Sequence, residues 1–271
     1  MISFPTCKIN IGLRIVEKRP DGFHNLQTIF YPIALHDVLE IIKAPAGIEA
    51  VAYSHSGLPI FSNPQNNLCI RAYHLLRNDF KNLPPIKMHL HKCIPMGAGL
   101  GGGSADAAFA LQLINTQFHL GLSNQELMNY ALELGSDCPF FILNKPCLAH
   151  GRGEQLTPLH LQLNNYKIVL VNPGIHINTG MAFSEIKPGN LHSDSLDSLI
   201  QLPIAQWKLH IHNDFETPVF ARHPQIAEIK NLLYQHGAHY ASMSGSGSTV
   251  YGIFDAEVAI PLPQSYFVKW V

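Results

Sequence analysis

Residues 95–108 read PMGAGLGGGSADAA, and five of the seven residues from 97 to 103 are glycine. Glycine tolerates positive φ angles and lets backbone N–H groups approach a ligand closely. Residues 105–118, which follow, carry alanine and leucine at helical spacing. Because a helix N-terminus holds roughly half a positive charge and unpaired N–H groups, it binds anions. The segment therefore predicts a phosphate-binding loop between a strand and a helix, and the alternative is a flexible loop that ends in a glycine-rich cap.

Three common phosphate sites fit this segment poorly. Gly97, Gly99 and Gly102 match the G-x-G-x-x-G dinucleotide pattern, but that pattern belongs to an early βαβ unit with an acidic residue about 20 positions later. Here the loop lies a third of the way along the chain, and two helical stretches follow it. No Gly-Lys-Ser/Thr occurs, which excludes a Walker A loop, and the His-Arg-Asp and Asp-Phe-Gly signatures of protein kinases are absent.

Composition indicates a globular, cytoplasmic protein. The chain has 271 residues, of which 46% are hydrophobic, and 18 Lys+Arg against 19 Asp+Glu give a net charge of -1. The basic surplus of nucleic-acid-binding proteins is missing, so we expect no nucleic-acid partner. We expect no membrane partner either, because the sequence has no apolar run of about 18 residues and residues 1–6 lack the features of a signal peptide. Five widely spaced cysteines without a Cys-x-x-Cys pair predict neither a disulfide framework nor a zinc site.

Sixteen histidines raise the question of a metal centre. His89-x-His91 and His210-x-His212 would each place two imidazoles on one face of a strand. No third ligand has a suitable spacing, so we predict no metal site made by protein side chains.

Hydrophobic periodicity predicts alternating strands and helices. Alternation from Lys8 to Val16 is typical of a strand with one buried face, and Pro20-Asp21-Gly22 marks a turn before the next strand. The chain is predicted to divide into an N-terminal domain, 1–156, and a C-terminal domain, 157–271. Predicted strands cover 8–16, 26–35, 86–94 and 167–171, and predicted helices cover 67–77, 105–118, 123–134 and 225–236.

The pattern Pro-x-x-x-Gly-Leu-x-x-x-Ser-Ala, starting at Pro95, resembles the GHMP kinase superfamily, named for galactokinase, homoserine, mevalonate and phosphomevalonate kinases. The chain is most similar to the members that phosphorylate CDP-methylerythritol, and the matching blocks occur in the family's order over nearly the whole chain. The resemblance implies an α+β, two-lobe GHMP kinase fold with an ATP-binding N-terminal lobe and a smaller C-terminal substrate lobe. The further blocks are Lys8-Ile9-Asn10, Asp21-Gly22-Phe23-His24 with Leu26-Gln27-Thr28, Gly135-Ser136-Asp137-Cys138-Pro139-Phe140, Asn213-Asp214-Phe215-Glu216 and Gly245-Ser246-Gly247.

The resemblance also implies the reaction. The γ-phosphate of ATP would pass to the 2-hydroxyl of CDP-methylerythritol, a step of the non-mevalonate (MEP) route to isoprenoid precursors. Asp137 would be the general base, and Lys8 would lie beside Asp137 and the reacting hydroxyl. Residue type alone favours a turn residue for Asp137 and a solvated strand residue for Lys8. The implied ATP-binding residues are Lys92, Pro95, Met96, Gly97, Ala98, Gly99, Leu100, Gly101, Gly102, Gly103, Ser104 and Ala105.

The implied substrate-binding residues combine aromatic and polar side chains, since cytosine needs a stacking surface and hydrogen-bonding partners. Phe23 stands where the family usually has tyrosine, so it keeps the ring and loses the hydroxyl. Phe183 is the expected opposing ring or, alternatively, an ordinary core residue. Lys92 is expected near the adenosine, with a solvated strand lysine as the alternative. The complete set is Asn10, Phe23, His24, Phe183 and Ser246.

ATP with Mg²⁺ is the expected co-substrate, with Ser104 as a possible contact of the ion and no tightly bound cofactor. Asp106 suits the helix dipole but repels phosphate, so its role stays open. We expect a monomer or weak homodimer. Two other functions remain: a GHMP kinase for another small alcohol, and a non-catalytic nucleotide-binding protein, against which the presence of Lys8 and Asp137 argues.

Overall fold

The computed structural model describes residues 1–45, 49–60, 66–186 and 194–271. The strands are β1 (Ile2–Ser3), β2 (Thr6–Lys18), β3 (His24–His36), β4 (Val38–Lys43), β5 (Val51–Gly57), β6 (Ile86–Lys92), β7 (Cys147–His150), β8 (Gln155–Pro158), β9 (Lys167–Asn172), β10 (Tyr240–Met243), β11 (Val250–Phe254) and β12 (Phe267–Trp270). The helices are α1 (Leu68–Asp79), α2 (Gly102–Gln117), α3 (Asn124–Leu134), α4 (Cys138–Leu143), α5 (Thr179–Glu185), α6 (Leu196–Leu199), α7 (Ile204–His210), α8 (Glu216–Arg222) and α9 (Pro224–Gln235).

The chain forms two compact units, each built from several segments. The first unit comprises residues 1–7, 34–96 and 101–144, and the second comprises 8–33, 97–100 and 145–271. These units interleave along the sequence, so neither coincides with a division at residue 156. That division stays a prediction about where the two domains of the sequence meet.

A four-stranded sheet of order β1-β4-β6-β5 forms the framework of the first unit, in which β6 is antiparallel to β4 and parallel to β5. Alternate residues of β6 are buried, and His89 and His91 lie on its more exposed face. There they hydrogen-bond to Ser54 and Ser56 of the adjacent strand. Among the described residues, no group of three His, Cys, Asp or Glu side chains could hold a metal ion.

Side-chain caps mark the first residues of two helices in the first unit. Asn67 caps α1 by accepting from the backbone N–H of Cys69 at 2.9 Å. Ser123 and Glu126 form a capping box at α3, which satisfies two otherwise unpaired N–H groups. α2 begins at Gly102, three residues before the predicted start. The prediction placed the start too late because glycine and serine, which occupy the first turn, have lower helix propensity than the alanine and leucine that follow. No helix in the described residues has the length and apolar character needed to cross a bilayer.

Two sheets form most of the second unit, in the orders β2-β3-β7-β8 and β10-β11-β9-β12. Its core contains apolar residues of β2, β9, β11 and α9, among them Leu13, Val171 and Ile226. The prediction of one buried face for β2 was wrong, because every residue from Thr6 to Ile15 is buried. The polar residues of the second face are accommodated because they have partners: the guanidinium of Arg14, for example, donates to the Asp194 carbonyl at 2.5 Å.

Candidate active site

The glycine segment has a backbone conformation that demands glycine. Gly97, Gly99 and Gly101 have φ angles of 61°, 78° and 71°, in the left-handed region. A Cβ on Gly99 would lie 2.0 Å from the carbonyl oxygen of Ser244, in the turn between β10 and β11. The close approach of these two backbones therefore depends on the missing side chain.

Protein donors hold the carbonyl groups of residues 98–100. The carbonyl of Gly99 accepts from Ser244 Oγ at 2.8 Å and from Lys8 Nζ at 3.0 Å. Backbone N–H groups of Thr249 and Lys8 donate to the carbonyls of Ala98 at 3.2 Å and Leu100 at 2.9 Å. These bonds fix the shape of the loop before any ligand binds.

Helix α2 follows the loop directly. Its N-cap, Gly101, has no side chain that could cap the helix, and the first turn contains no acidic residue. An uncapped N-terminus of a 16-residue helix offers N–H groups and a positive dipole end, the features that bind phosphate. The phosphate site at this helix start stays a prediction.

Lys8 and Asn10 form a buried polar pair on β2, with 3% and 2% of their surfaces exposed. Lys8 Nζ donates to Asn10 Oδ1 at 2.5 Å and lies 5.2 Å from the centre of the Phe30 ring. Asn10 Nδ2 in turn donates to Thr28 Oγ1 at 2.9 Å. The solvated alternative for Lys8 is therefore wrong, and a buried ammonium bonded to the glycine loop takes its place.

Asp137 is partly buried and stands immediately before α4. Its carboxylate makes no capping bond to that helix. Pro139 occupies the first turn of the helix instead, where a residue without an N–H group is tolerated. The Cys138 N–H donates to the Gly135 carbonyl at 3.1 Å. A capping role therefore does not explain an aspartate at this position.

His24 and Phe183 are brought together, although they lie far apart in the sequence. Their rings stack with a centroid distance of 4.8 Å and an interplanar angle of 13°, and Phe215 meets the edge of Phe183 at 4.8 Å. Burial, assisted by repulsion from Lys18, lowers the pKa of His24, which favours a neutral ring. Because the two rings already touch, a base can enter between them only if they separate.

Phe23 has a different partner from the two stacked rings. Its side chain is 52% exposed, and the Arg152 guanidinium lies 4.9 Å from the ring centre. Such a cation–π contact at an exposed site contributes about 0.5–1 kcal/mol.

Ser246 lies in the turn that packs on the glycine loop. Its hydroxyl is 3.0 Å from Thr179 Oγ1, so either group can donate. The buried Asn213 fixes the turn by donating from Nδ2 to the carbonyls of Met243 at 2.7 Å and Gly245 at 2.8 Å. The sequence block around Asn213 signalled its importance, but its role as a brace for this turn could not be predicted.

Lys92 is also buried, contrary to the solvated alternative, and forms ion pairs with Asp37 and Asp106. The other Asp37 oxygen accepts from the N–H groups of Cys93 at 2.5 Å and Ile94 at 2.9 Å. Burial lowers the pKa of Lys92, but the charges of Asp106 and Asp37 outweigh it, so the net shift is upward and the side chain stays charged. The sequence analysis did not predict a role for Asp37. The one sequence feature that could have indicated it is an acidic residue between two strands.

Sequence models of known families match two parts of the chain. The description "GHMP kinases N terminal domain" matches residues 67–145, and "GHMP kinases C terminal" matches residues 199–261.

Full-length relatives are similar over almost the entire chain. A protein of Bacteroides fragilis (strain ATCC 25285) named 4-diphosphocytidyl-2-C-methyl-D-erythritol kinase is 51% identical over 260 residues, which is 96% of this chain and 94% of that protein. A protein of the same name from Cytophaga hutchinsonii is 45% identical over 95% of this chain and 93% of its own length.

Solved structures are similar as well. A crystal structure of 4-(cytidine 5'-diphospho)-2C-methyl-D-erythritol kinase has a TM-score of 0.79 at 29% identity, covering 93% of this chain and 90% of its own. The mevalonate kinase of Methanococcus jannaschii has a TM-score of 0.69 at 14% identity, covering 94% and 90%, and at that identity the likeness concerns the fold alone.

Proposed function

Because the chain belongs to the GHMP kinases and, within them, to the family of 4-diphosphocytidyl-2-C-methyl-D-erythritol kinases, we propose that it phosphorylates this cytidyl compound. The γ-phosphate of ATP is transferred to the 2-hydroxyl, a step of the non-mevalonate route to isoprenoid precursors. The observation that carries the proposal is the buried ammonium of Lys8, bonded both to Asn10 and to Gly99 of the glycine loop. Burying an ammonium is costly unless it is paired, and here the partners of Lys8 are Asn10 and the loop assigned to the phosphates.

ATP is the co-substrate of this kinase family, and we assign its phosphates to residues 95–105. Backbone N–H groups of the loop and the N-terminus of α2 supply the donors and the dipole that phosphate requires. Mg²⁺ enters with ATP and, when bound, neutralises charge on the phosphates. Ser104, in the first turn of α2, offers the hard hydroxyl oxygen that suits this ion, which uses few protein ligands.

Asp137 is assigned the role of general base and Lys8 that of a charge partner at the reacting centre. The substrate oxygen forms a bond to the γ-phosphorus, the bond from that phosphorus to the bridging oxygen of ADP breaks, and the hydroxyl proton passes to the Asp137 carboxylate. Phosphoryl transfer depends mainly on position and charge stabilisation. Buried hydrogen bonds, such as the one between Lys8 and Asn10, limit the orientations that the ammonium can adopt.

Cytosine recognition is assigned to His24 and Phe183. Phe23 and Ser246 are assigned as further substrate-binding residues, with Ser246 near the polar part of the substrate. A base that enters between His24 and Phe183 exchanges one ring stack for two, which repays their separation. The neutral state of His24 leaves one ring nitrogen as an acceptor and the other as a donor for the base edge.

Replacement of Phe183 by alanine should therefore raise KM for the cytidyl substrate by about tenfold and leave KM for ATP nearly unchanged, because one stacking surface is lost. Phe23→Tyr, which keeps the ring at the neighbouring position and restores the hydroxyl usual in the family, is the conservative comparison and should keep KM within about twofold. Steady-state kinetics with each substrate varied in turn tests this. Equal increases in both KM values would contradict a role confined to the cytidyl substrate.

Coupled ADP release tests the function as a whole. The purified protein is given Mg-ATP with the cytidyl substrate and, in parallel, with mevalonate, homoserine or galactose. Turnover with the cytidyl compound alone is expected. Turnover with another alcohol instead would favour a different GHMP kinase activity, and ATP binding without any turnover would favour a nucleotide-binding protein.

A cytoplasmic location and a monomeric or weakly dimeric state complete the proposal. The wide spacing of the five cysteines supports a reducing compartment. Light scattering of the purified protein tests the assembly.

A further inference from the structure

Glu216, the last residue of the block Asn213-Asp214-Phe215-Glu216, is a buried carboxylate to which the proposed function assigns no role. It is the first residue of α8, and 8% of its surface is exposed. Burying a carboxylate is costly unless its oxygens have hydrogen-bond partners. The partners of Glu216 therefore indicate which parts of the fold it holds in place.

The two oxygens of Glu216 have different partners. Oε1 accepts from the backbone N–H of Met243 at 2.9 Å and from Ser242 Oγ at 3.0 Å. Oε2 accepts from the ammonium of Lys230, on α9, at 2.6 Å. Since Ser242 and Met243 are the last two residues of β10, the carboxylate joins the end of that strand to α9.

Met243 immediately precedes the turn that packs on the glycine loop. Its N–H donates to Glu216, and its carbonyl accepts from Asn213 Nδ2 at 2.7 Å. β10 lies at the edge of its sheet, so the two side chains bond backbone groups that would otherwise face outward from that edge. The next residue, Ser244, donates from Oγ to the Gly99 carbonyl at 2.8 Å. The hold on residue 243 therefore fixes where Ser244 meets the glycine loop.

The Gly99 carbonyl also holds Lys8. It accepts from Lys8 Nζ at 3.0 Å as well as from Ser244 Oγ, so the ammonium and the hydroxyl share one acceptor. Met243 and Ser244 are fully buried, and close-packed interiors transmit small shifts. A displacement of residue 243 therefore moves the oxygen to which Lys8 is bonded.

Resting on the proposed kinase function, we infer that Glu216 is a positioning residue for the reaction. Its Oε1 holds residue 243 and, through Ser244 and Gly99, sets the place of the Lys8 ammonium and the shape of the loop assigned to the phosphates of ATP. The acceptor at Oε1 carries this role, whereas the oxygen that faces Lys230 does not contact β10.

Glu216→Gln tests the need for this acceptor. A side-chain amide has one accepting end and one donating end, so the donating NH₂ must face either the Lys230 ammonium or the Met243 N–H. Two donors then oppose each other in a buried place, and the end of β10 shifts. We expect ATP affinity, measured by calorimetry, to fall by about tenfold or more. The kcat for the cytidyl substrate should fall by about 100-fold, as a misplacement of about 1 Å does.

Combining Glu216→Gln with Lys230→Met should rescue the protein. Without the ammonium, the amide oxygen can face the Met243 N–H while the NH₂ group turns to the place of the Lys230 side chain, which is 18% exposed. ATP affinity and kcat should return to within about threefold of native. Lys230→Met alone is the matched control and should also stay within about threefold, because Oε1 keeps both of its donors.

A merely structural ion pair would give a different pattern. If the bond between Glu216 and Lys230 only stabilised the fold, either single substitution would lower activity and melting temperature alike, and the double variant would not recover. That pattern would overturn the inference. Native ATP affinity and native kcat in a folded Glu216→Gln protein would overturn it as well.

Ser244→Ala keeps the inference testable if Glu216→Gln does not fold. It cuts the contact between the end of β10 and the Gly99 carbonyl and leaves every bond of Glu216 in place. ATP affinity should fall by about tenfold, and native values in this variant would contradict the inference.

Calorimetry with ATP requires no turnover, so it separates this positioning role from the identity of the alcohol substrate. A native protein that binds ATP but does not phosphorylate the cytidyl compound would contradict the proposed function alone. Native ATP affinity and, with whichever alcohol is the substrate, native kcat in folded Glu216→Gln would contradict the role of Glu216 alone.

Discussion

Asp137→Asn should lower kcat for the cytidyl substrate by about 100- to 10,000-fold, the range that general-base catalysis contributes. The amide keeps the size and shape of the carboxylate but cannot accept the hydroxyl proton. Since Asp137 makes no capping bond to α4, the substitution removes no hydrogen bond from the start of that helix. Affinity for ATP should therefore remain close to native, measured by calorimetry beside coupled ADP release.

Asp79→Asn is the control for this substitution. Asp79 is an exposed carboxylate at the end of α1 that accepts from the Tyr130 hydroxyl. Its replacement changes the net charge by the same amount and should leave kcat within about twofold. If Asp137→Asn retained more than about a tenth of native turnover, another group would have to accept the proton.

Local patterns predicted the glycine loop and the four longest helices, α1, α2, α3 and α9, because their causes are local. A run of glycines before an alanine-rich segment, or Ser123 three residues before Glu126, determines the structure of its immediate neighbourhood. The family and its α+β fold were also predicted correctly, because several motif blocks occur together and in order.

Burial of charged residues was beyond such patterns. Alternation along β2 indicates which residues share a face, but whether the second face is buried depends on distant parts of the chain. Lys8 and Lys92 consequently looked like solvated strand residues from their type alone, and both are buried. Their partners, among them Gly99 and Asp37, are far away in the sequence, and no spacing rule connects them.

The aromatic residues illustrate the same limit. His24 and Phe183 were both predicted to contact the substrate base, and the structure places them in direct contact with each other. Phe23, adjacent to His24, contacts Arg152 instead, since successive residues point in different directions. Sequence blocks identify which residues belong to a site, but the contacts among them come from tertiary packing.

Among glycine-to-alanine substitutions in the glycine segment, Gly99→Ala should lower activity most. The new Cβ would lie 2.0 Å from the Ser244 carbonyl oxygen and 3.1 Å from that of Gly247, and Gly99 has a φ of 78°. Both contacts are backbone atoms, so no side-chain rotation relieves them. The Ser244 N–H donates to the Thr249 carbonyl at 2.9 Å, which ties the obstructing turn to the adjacent strand.

The loop must therefore move, and its movement affects the reacting centre. The Gly99 carbonyl holds Lys8 Nζ and Ser244 Oγ, so a shift of about 1 Å breaks two hydrogen bonds and leaves a buried ammonium less well paired. A misplacement of that size costs about 100-fold in rate, and we expect kcat/KM for ATP to fall by at least this factor. Gly121→Ala separates strain from collision: Gly121 has a φ of 74°, but no atom lies within 4 Å of its added Cβ. Gly121→Ala should cost only about 1–2 kcal/mol of stability and should keep the native kinetic constants. If Gly99→Ala also kept the native kinetic constants, the contact with Ser244 would not set the shape of the loop.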